Sequence, residues 1–314
     1  MTELTIVCLT YNHEKFIKNT IEGIINQKTS FKFELIISDD CSTDNTINII
    51  KEYAKQYKDI IRPIFHKKNI GSMKNFINSL SNIDTKYVAI CDGDDCFIDV
   101  HKLQKQYDFM EENEDYNICF TSANQIFEDN SVSNTILPRQ CCVTTEFNDL
   151  LKENYIITSS VFYRWQFRNQ DMNNIIPYDI VPGDYYLHLL HAHTGKIRYM
   201  DEIMVNYIKH SGGIWYNVSK NYDMHYLRNG IKIINFYINV NNRFNLNDFY
   251  DDKLNELFSE CIRIFLRHDD FKQLYELQNV DKDKFNKNLS KNRGALLYPH
   301  LNLFQKVFYR VFFR

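Results

Sequence analysis

The sequence predicts an α/β fold, a mostly parallel central sheet with helices on both faces, followed by a helical C-terminal region. Three observations predict it. Short apolar runs rich in Ile and Val alternate with segments of helical period through the first part of the chain. Those runs are too continuously apolar to be half-exposed, which is the mark of strands covered on both faces. Polar clusters at 10–12, 39–44, 69–72 and 92–95 each follow such a run, so all four fall at the carboxyl ends of strands, where open α/β sheets bind ligands.

In chain order, Leu4-Thr5-Ile6-Val7-Cys8-Leu9 is a strand running into the polar loop Thr10-Tyr11-Asn12-His13. Residues 14–27 carry Ile17, Ile21, Ile24 and Ile25 at helical spacing. A second strand, 33–38, stops at Asp39, and a helix follows to about residue 57. Residues 61–65 are a third strand, 69–72 a loop and 73–80 a helix. The fourth strand, 86–90, runs into Cys91-Asp92-Gly93-Asp94-Asp95-Cys96-Phe97. Residues 99–114 read as a helix, 118–122 as a strand, and 129–144 as a long polar loop. Thr145 is expected to cap a short helix reaching 153, and 158–163 to form another strand. Asp184 then stands at or near the start of a helix in which Leu187, Leu190 and His191 share a face. At that position Asp serves as an N-cap, as a base aimed at the ligand edge, or as both. Residues 195–200 and 205–209 read as strands, and His210 opens a glycine-rich loop ending at Trp215.

From 219 onward the chain lacks strand signals, with helices expected at 221–240, 248–267 and 270–278. The domain boundary is therefore placed at 218, with 219–314 a helical extension. Its end carries rows at four-residue spacing: Leu303, Val307 and Val311, then Phe304, Phe308 and Phe312, then Lys306, Arg310 and Arg314. This basic amphipathic helix would suit an anionic membrane surface or a packed protein face equally.

Composition narrows the function classes. Hydrophobic residues make up 44% of the 314, enough for a full core, and the net charge of −3 gives no basis for nucleic-acid binding. The start lacks a basic and apolar leader, and no apolar run approaches the ~20 residues that span a bilayer. These readings lead to the expectation of a cytoplasmic protein, with the terminal helix as its one means of touching the inner face of a membrane. The eight cysteines show no metal-ligand spacing and read as reduced, mostly buried thiols. Neither G-x-G-x-x-G after the first strand nor G-x-x-x-x-G-K-S/T is present, which disfavours a dinucleotide-binding dehydrogenase and a P-loop ATPase.

The acidic run is the strongest chemical signal. Packed carboxylates raise one another's pKa unless a cation sits among them, and hard divalent cations take oxygen ligands together with substrate phosphates. The run therefore reads as a metal-diphosphate site, against the plainer alternative of a solvated Asp-Gly turn. His210 adds an imidazole that can ligate metal.

Together, Leu9-Thr10-Tyr11-Asn12, Ser38-Asp39-Asp40-Cys41-Ser42-Thr43-Asp44-Asn45-Thr46, Asn69-Ile70-Gly71, Asp92-Gly93-Asp94-Asp95, Gly183-Asp184 and His210-Ser211-Gly212-Gly213 resemble, in order and spacing, the family 2 glycosyltransferases of the Rossmann-like GT-A fold, bacterial surface-polysaccharide enzymes in particular. The likeness covers about residues 3–216. It implies an inverting transfer from a nucleotide sugar, with UDP the expected nucleotide, to a glycan or lipid-linked glycan acceptor. It implies that Thr10, Tyr11, Asp40, Lys74, Asp92 and Gly93 hold the nucleotide sugar, with Tyr11 against the base. Asp94, with Asp95 as the competing assignment, and His210 would hold Mn²⁺ or Mg²⁺, and Asp184 would be the catalytic base. Where many relatives carry Glu-Asp or Asp-Asp, this chain has Gly183-Asp184, so the neighbouring acid is missing. Two other readings compete. A sugar nucleotidyltransferase would need a glycine-rich basic loop after the first strand, which is absent. A degenerate domain kept as a binding module would not need Asp92, Asp94 and Asp184 together.

Overall fold

The computed structural model describes residues 2–128, 131–138, 142–213, 216, 218 and 221–291. The chain divides into two compact units, Met1–Tyr178 with Gly183–Tyr216, and Asp179–Pro182 with Asn217–Arg314.

In the first unit the strands are β1 (Thr2–Thr10), β2 (Lys32–Asp39), β3 (Ile61–Phe65), β4 (Tyr87–Ile90), β5 (Cys96–Phe97), β6 (Tyr116–Phe127), β7 (Val132–Leu137), β8 (Thr144–Thr145), β9 (Phe162–Arg164) and β10 (Lys196–Lys209). The helices are α1 (Ile17–Ile25), α2 (Thr46–Gln56), α3 (Ser72–Leu80), α4 (Lys102–Glu112), α5 (Phe147–Leu150) and α6 (Gly183–Ala192). The strands form one sheet in the order β3-β2-β1-β4-β9-β6-β10-β5, with β7 on β6 and β8 on β10. Strands β3, β2, β1 and β4 are mutually parallel, and so are β6 and β10. The short β9 runs antiparallel between β4 and β6 and joins the two parallel blocks.

The pleat explains which residues form the core. Leu4, Ile6 and Cys8 alternate along β1 and point to one face, where they meet Leu35 and Ile37 of β2. Ile17, Ile21 and Ile24 of α1, Ile50 of α2 and Leu103 and Met110 of α4 cover that face. Each of these fully buried aliphatic side chains contributes about 1.5–3 kcal/mol. Helix α3 also packs on β1 and β2, but its buried Phe76, Ile77 and Leu80 lie outside this cluster. Sheet and helices place the carboxyl ends of β1, β2 and β4 along one edge.

Four local readings need correction. Residues 129–144 are not all loop, since β7 pairs antiparallel with β6. Residues 158–163 are not one strand: Thr158–Ser160 is a single 3-10 turn, and β9 begins only at Phe162. The helix expected at 145–153 shrinks to α5, capped by Glu146 in a capping box with Asp149. The two strands expected between 195 and 209 are one, β10, which absorbs register shifts between Met200 and Val205. The described cysteines are free thiols, and burial pushes those of Cys8, Cys91, Cys119 and Cys261 upward.

The second unit holds α7 (Tyr222–Phe244), α8 (Asp251–Arg267), α9 (Phe271–Val280) and α10 (Lys282–Lys291). Ile234, Phe236, Val240, Leu254, Phe258, Cys261, Phe265, Leu274, Leu277 and Phe285 are its buried core. Gly230 of α7 lets α8 approach, because a Cβ there would lie 2.7 Å from Cys261 Sγ. Among the described residues no helix is long and apolar enough to cross a membrane. The terminal basic helix and Trp215 lie outside the described residues.

One close approach in the first unit gives a signed test. A Cβ on Gly23 of α1 would lie 2.6 Å from the Phe97 carbonyl oxygen. Gly→Ala inside a helix normally gains about 1 kcal/mol. Forcing a methyl against fixed backbone costs about 1–3 kcal/mol. Gly23→Ala is therefore expected to lower the urea midpoint, contrary to the helix-propensity rule.

Candidate active site

The acidic run is laid along the end of β1. The ladder between β1 and β4 continues past Ile90 through Cys91 N–H to Val7 O (3.0 Å) and Gly93 N–H to Leu9 O (2.8 Å). No side chain fits at Gly93, where a Cβ would lie 2.8 Å from Thr10 Cβ and 2.9 Å from Leu9 O. Asp95 N–H donates to Asp92 O at 3.0 Å, folding the run into a turn. Thr20 Oγ1, from α1, donates to the carbonyls of Gly93 (3.0 Å) and Asp95 (2.6 Å) and locks that turn.

The three carboxylates of the run have different surroundings. Asp94 Oδ2 accepts from His210 Nε2 at 2.8 Å and lies 3.9 Å from His13 Nε2. One ligand atom from each of His13, Asp94 and His210 falls within 4.8 Å of the others. Burial pushes Asp94 up, but the His210 hydrogen bond and the charges of His13 and His210 outweigh it and hold the carboxyl below its usual range. Burial likewise lowers His13, with Asp94 opposing and His210 adding to the shift. Asp95 is buried and outside this cluster. Its Oδ1 accepts from the Ile208 amide at 2.9 Å and its Oδ2 from Ser159 Oγ. Burial, then Asp94 and Asp92, drive its carboxyl well upward. Asp92 is pushed up to about 8 by burial and by the charges of Asp94 and Asp184.

His13 is held by its backbone, through two loops bonded to each other. The left-handed Asn12 (φ 57°) accepts from Thr43 N–H through its Oδ1 (2.8 Å), and its own N–H donates to Ser42 Oγ (2.8 Å). His13 N–H donates to Thr46 Oγ1 (2.9 Å) and Glu14 N–H to Asp44 Oδ2 (3.1 Å). The Ser-Thr-Asp-Asn-Thr run after β2 thus fixes the loop after β1. His13 Nδ1 is buried and has no hydrogen-bond partner among the described residues. Two imidazole nitrogens and a carboxylate oxygen form a donor set that fits a divalent transition-type cation.

The remaining predicted contacts lie along the same edge. Thr10 is buried, its Oγ1 without a partner among the described residues and its carbonyl bonded by Asp40 N–H at 3.0 Å, while Tyr11 is 43% exposed. Both Asp40 oxygens are engaged, Oδ1 by Ile70 N–H (2.7 Å) and Oδ2 by Gly71 N–H (2.9 Å). Asp40 therefore shapes the 69–71 loop, in which Gly71 takes φ +89° at the start of α3. Lys74 is exposed on α3, its Nζ 5.2 Å from the Tyr178 ring centroid.

Asp184 lies in the first turn of α6, where the helix dipole favours a carboxylate. Its Oδ1 accepts from Tyr185 N–H at 2.8 Å and its Oδ2 from Thr158 Oγ1 at 2.5 Å. A Cβ on Gly183 would lie 2.4 Å from Met73 Sδ, so a thioether fills the place beside Asp184 where many relatives carry an acid. One turn further along α6, the buried His188 Nδ1 meets Tyr163 Oη at 2.6 Å. The charge of Asp184 helps push Asp92 up, so the start of α6 lies near the acidic run.

Sequence reasoning missed His13, Thr158 and Ser159. His13 carried a usable signal, since it sits in one of the four loops assigned to the ligand edge. Thr158 and Ser159 carried none, because β-branched and hydroxyl residues before an apolar run read as strand.

The family model described as Glycosyl transferase family 2 matches residues 5–170. An uncharacterized protein of Mycobacterium tuberculosis (strain H37Rv) is 38% identical over 214 residues, 68% of this chain and 61% of that protein. The chain thus spans about three fifths of the length of the curated relatives it matches first. Staphylococcus aureus TarS 1–349, solved in complex with UDP-GlcNAc, superposes with a TM-score of 0.53 at 17% identity, covering 92% of this chain and 80% of TarS 1–349. The mannosyltransferase PcManGT of Pyrobaculum calidifontis, solved with GDP-Man and Mn²⁺, gives a TM-score of 0.52 at 12% identity, over 75% of this chain and 64% of PcManGT. At these identities the two structures establish the shared fold, and the family match establishes membership: the chain belongs to glycosyl transferase family 2 and has its GT-A architecture.

Proposed function

We propose that this chain is an inverting, metal-dependent glycosyltransferase that moves a sugar from a UDP-sugar to a hydroxyl of a surface-glycan acceptor. The observation that carries the reading is the meeting of Asp92, Asp94, Asp184, His13 and His210 at the ligand edge of a family 2 chain. The nucleotide sugars bound in TarS and PcManGT support a donor of that class. The catalytic unit is taken as residues 1–218, with 219–314 as a helical extension.

Thr10, Tyr11, Asp40, Lys74, Asp92 and Gly93 are assigned to the nucleotide sugar, Asp40 through the 69–71 loop it shapes. Asp94, His210 and His13 are assigned to the cation. Asp95 is set aside from that role because both its oxygens already accept hydrogen bonds. Two imidazoles favour Mn²⁺ over Mg²⁺. When bound, the cation supplies positive charge against the diphosphate that leaves. Asp184, its oxygens held by Thr158 and the Tyr185 amide, takes the proton of the acceptor hydroxyl as that oxygen bonds to the sugar C1. The bond from C1 to the diphosphate oxygen breaks in the same displacement, which inverts the anomeric centre.

Asp184→Asn is expected to keep donor binding and to lower transfer by about 10²–10⁴-fold. Full transfer by that variant would refute the base. A thermal-shift panel of UDP, UDP-GlcNAc and GDP-mannose, with Mn²⁺, Mg²⁺ or EDTA, is expected to show Mn²⁺-dependent stabilisation by UDP compounds, because ligands that bind only the folded state raise its stability. His13→Ala should raise the Mn²⁺ concentration needed for that shift. No shift with any nucleotide would count against the donor site.

The acidic run adds a pH dependence. Asp92 is pushed up to about 8 in the folded protein, above its unfolded value of roughly 4. The folded state then holds a proton that the unfolded state has released, so this group lowers stability progressively as pH rises from roughly 4 to about 8. In EDTA, Asp92→Asn should therefore raise Tm, and by more at pH 8 than at pH 5. An equal gain at both would refute the shift.

A further inference from the structure

We infer that the turn Thr158–Ser160 is a positioning device for catalysis, with Thr158 fixing the carboxylate of Asp184 and Ser159 fixing the acidic run. The inference rests on Asp184 as the base and goes beyond it, because both hydroxyls donate to carboxylates of the site. Thr158 Oγ1 donates to Asp184 Oδ2, and the Tyr185 amide holds Oδ1, so the carboxylate has one orientation. The next residue, Ser159, is fully buried, and its Oγ donates to Asp95 Oδ2. Asp95 Oδ1 takes the Ile208 amide, two residues before His210. Adjacent hydroxyls on one turn therefore reach the base and the carboxylate that anchors both the acidic turn and the strand end bearing His210.

The turn is itself fastened. Ser160 N–H and Oγ both donate to Ile157 O, at 2.9 and 2.7 Å. From behind, Gln106 Nε2 donates to Ser160 O at 2.9 Å, and its Oε1 accepts from Lys102 Nζ at 2.8 Å. Lys102 and Gln106 are fully buried, which gives the turn a rigid polar seat in the core. A single turn, seated below and bonded above to both carboxylates, sets the distance between them. Misplacement of a reacting group by about 1 Å can cost on the order of 10²-fold in rate.

The test compares Thr158→Val, Thr158→Ser and Asp184→Asn in the Mn²⁺-loaded full chain. The readout is nucleotide release from whichever of UDP-GlcNAc, UDP-glucose, UDP-galactose and GDP-mannose turns over best. Thr158→Val, nearly the same size without the hydroxyl, is expected to lower kcat about 10–100-fold with donor KM within about twofold. Thr158→Ser, which restores the donor, should return kcat to within about threefold of the parent. A merely structural residue would move kcat, KM and thermal stability together and would not separate Val from Ser. A Thr158→Val enzyme with the parent kcat, or a Thr158→Ser enzyme as slow as it, would overturn the inference while a slow Asp184→Asn left the base assignment standing. Full activity in Asp184→Asn would overturn both.

Discussion

Three carboxylates on one four-residue turn repel one another, and the first unit has to hold them close with no lysine or arginine among the described residues ion-paired to them. It does so with neutral donors and imidazole. Ser159 Oγ and the Ile208 amide offset part of the upward push on Asp95, which stays well raised, while His210 and His13 hold Asp94 down. Asp92 has no such hydrogen bond among those described for it and takes the strain as a carboxyl pushed up to about 8. The turn can exist only because Gly93 offers no Cβ to the end of β1 and Thr20 binds two of its carbonyls. The surrounding architecture follows from this: β1 and β4 as neighbours, α1 above them, and β10 brought in by its own amide.

The same constraint explains why the polar loops are so heavily bonded to each other. The loop after β1 is fixed by side chains of the loop after β2, and the loop before α3 by Asp40. A site built on loops gains precision when those loops are ordered before ligand arrives, because the entropy of ordering is not charged against binding.

How much of this was legible in the sequence differs between fold and site. Parallel strands covered on both faces are apolar at nearly every position, so β1, β2, β3 and β4 stood out within a residue or two of their observed ends. Elements whose identity depends on a distant partner did not. The segment at 132–137 is a strand because β6 offers it an edge, and 158–160 is a turn because its hydroxyls serve carboxylates 26 and 64 residues away. At the site, Asp92, Asp94, Asp95 and His210 were visible as chemistry-bearing residues after strands, and Asp184 as one at the start of a helix. What the sequence could not sort was which carboxylate faces imidazole and which is spent on backbone, since that is decided by side-chain direction within one turn. His13 was visible as a residue but not as a neighbour of Asp94, because the contact depends on two loops closing over one another.

The glycine beside Asp184 has a consequence at the level of descent. Its missing side chain and the thioether of Met73 occupy one volume, since a Cβ on Gly183 would lie 2.4 Å from Met73 Sδ. A side chain at 183 would have to displace the end of Met73, which a flexible thioether can concede by turning away. Lineages of this family that carry an acid at 183 should therefore show residue 73 either smaller or turned away.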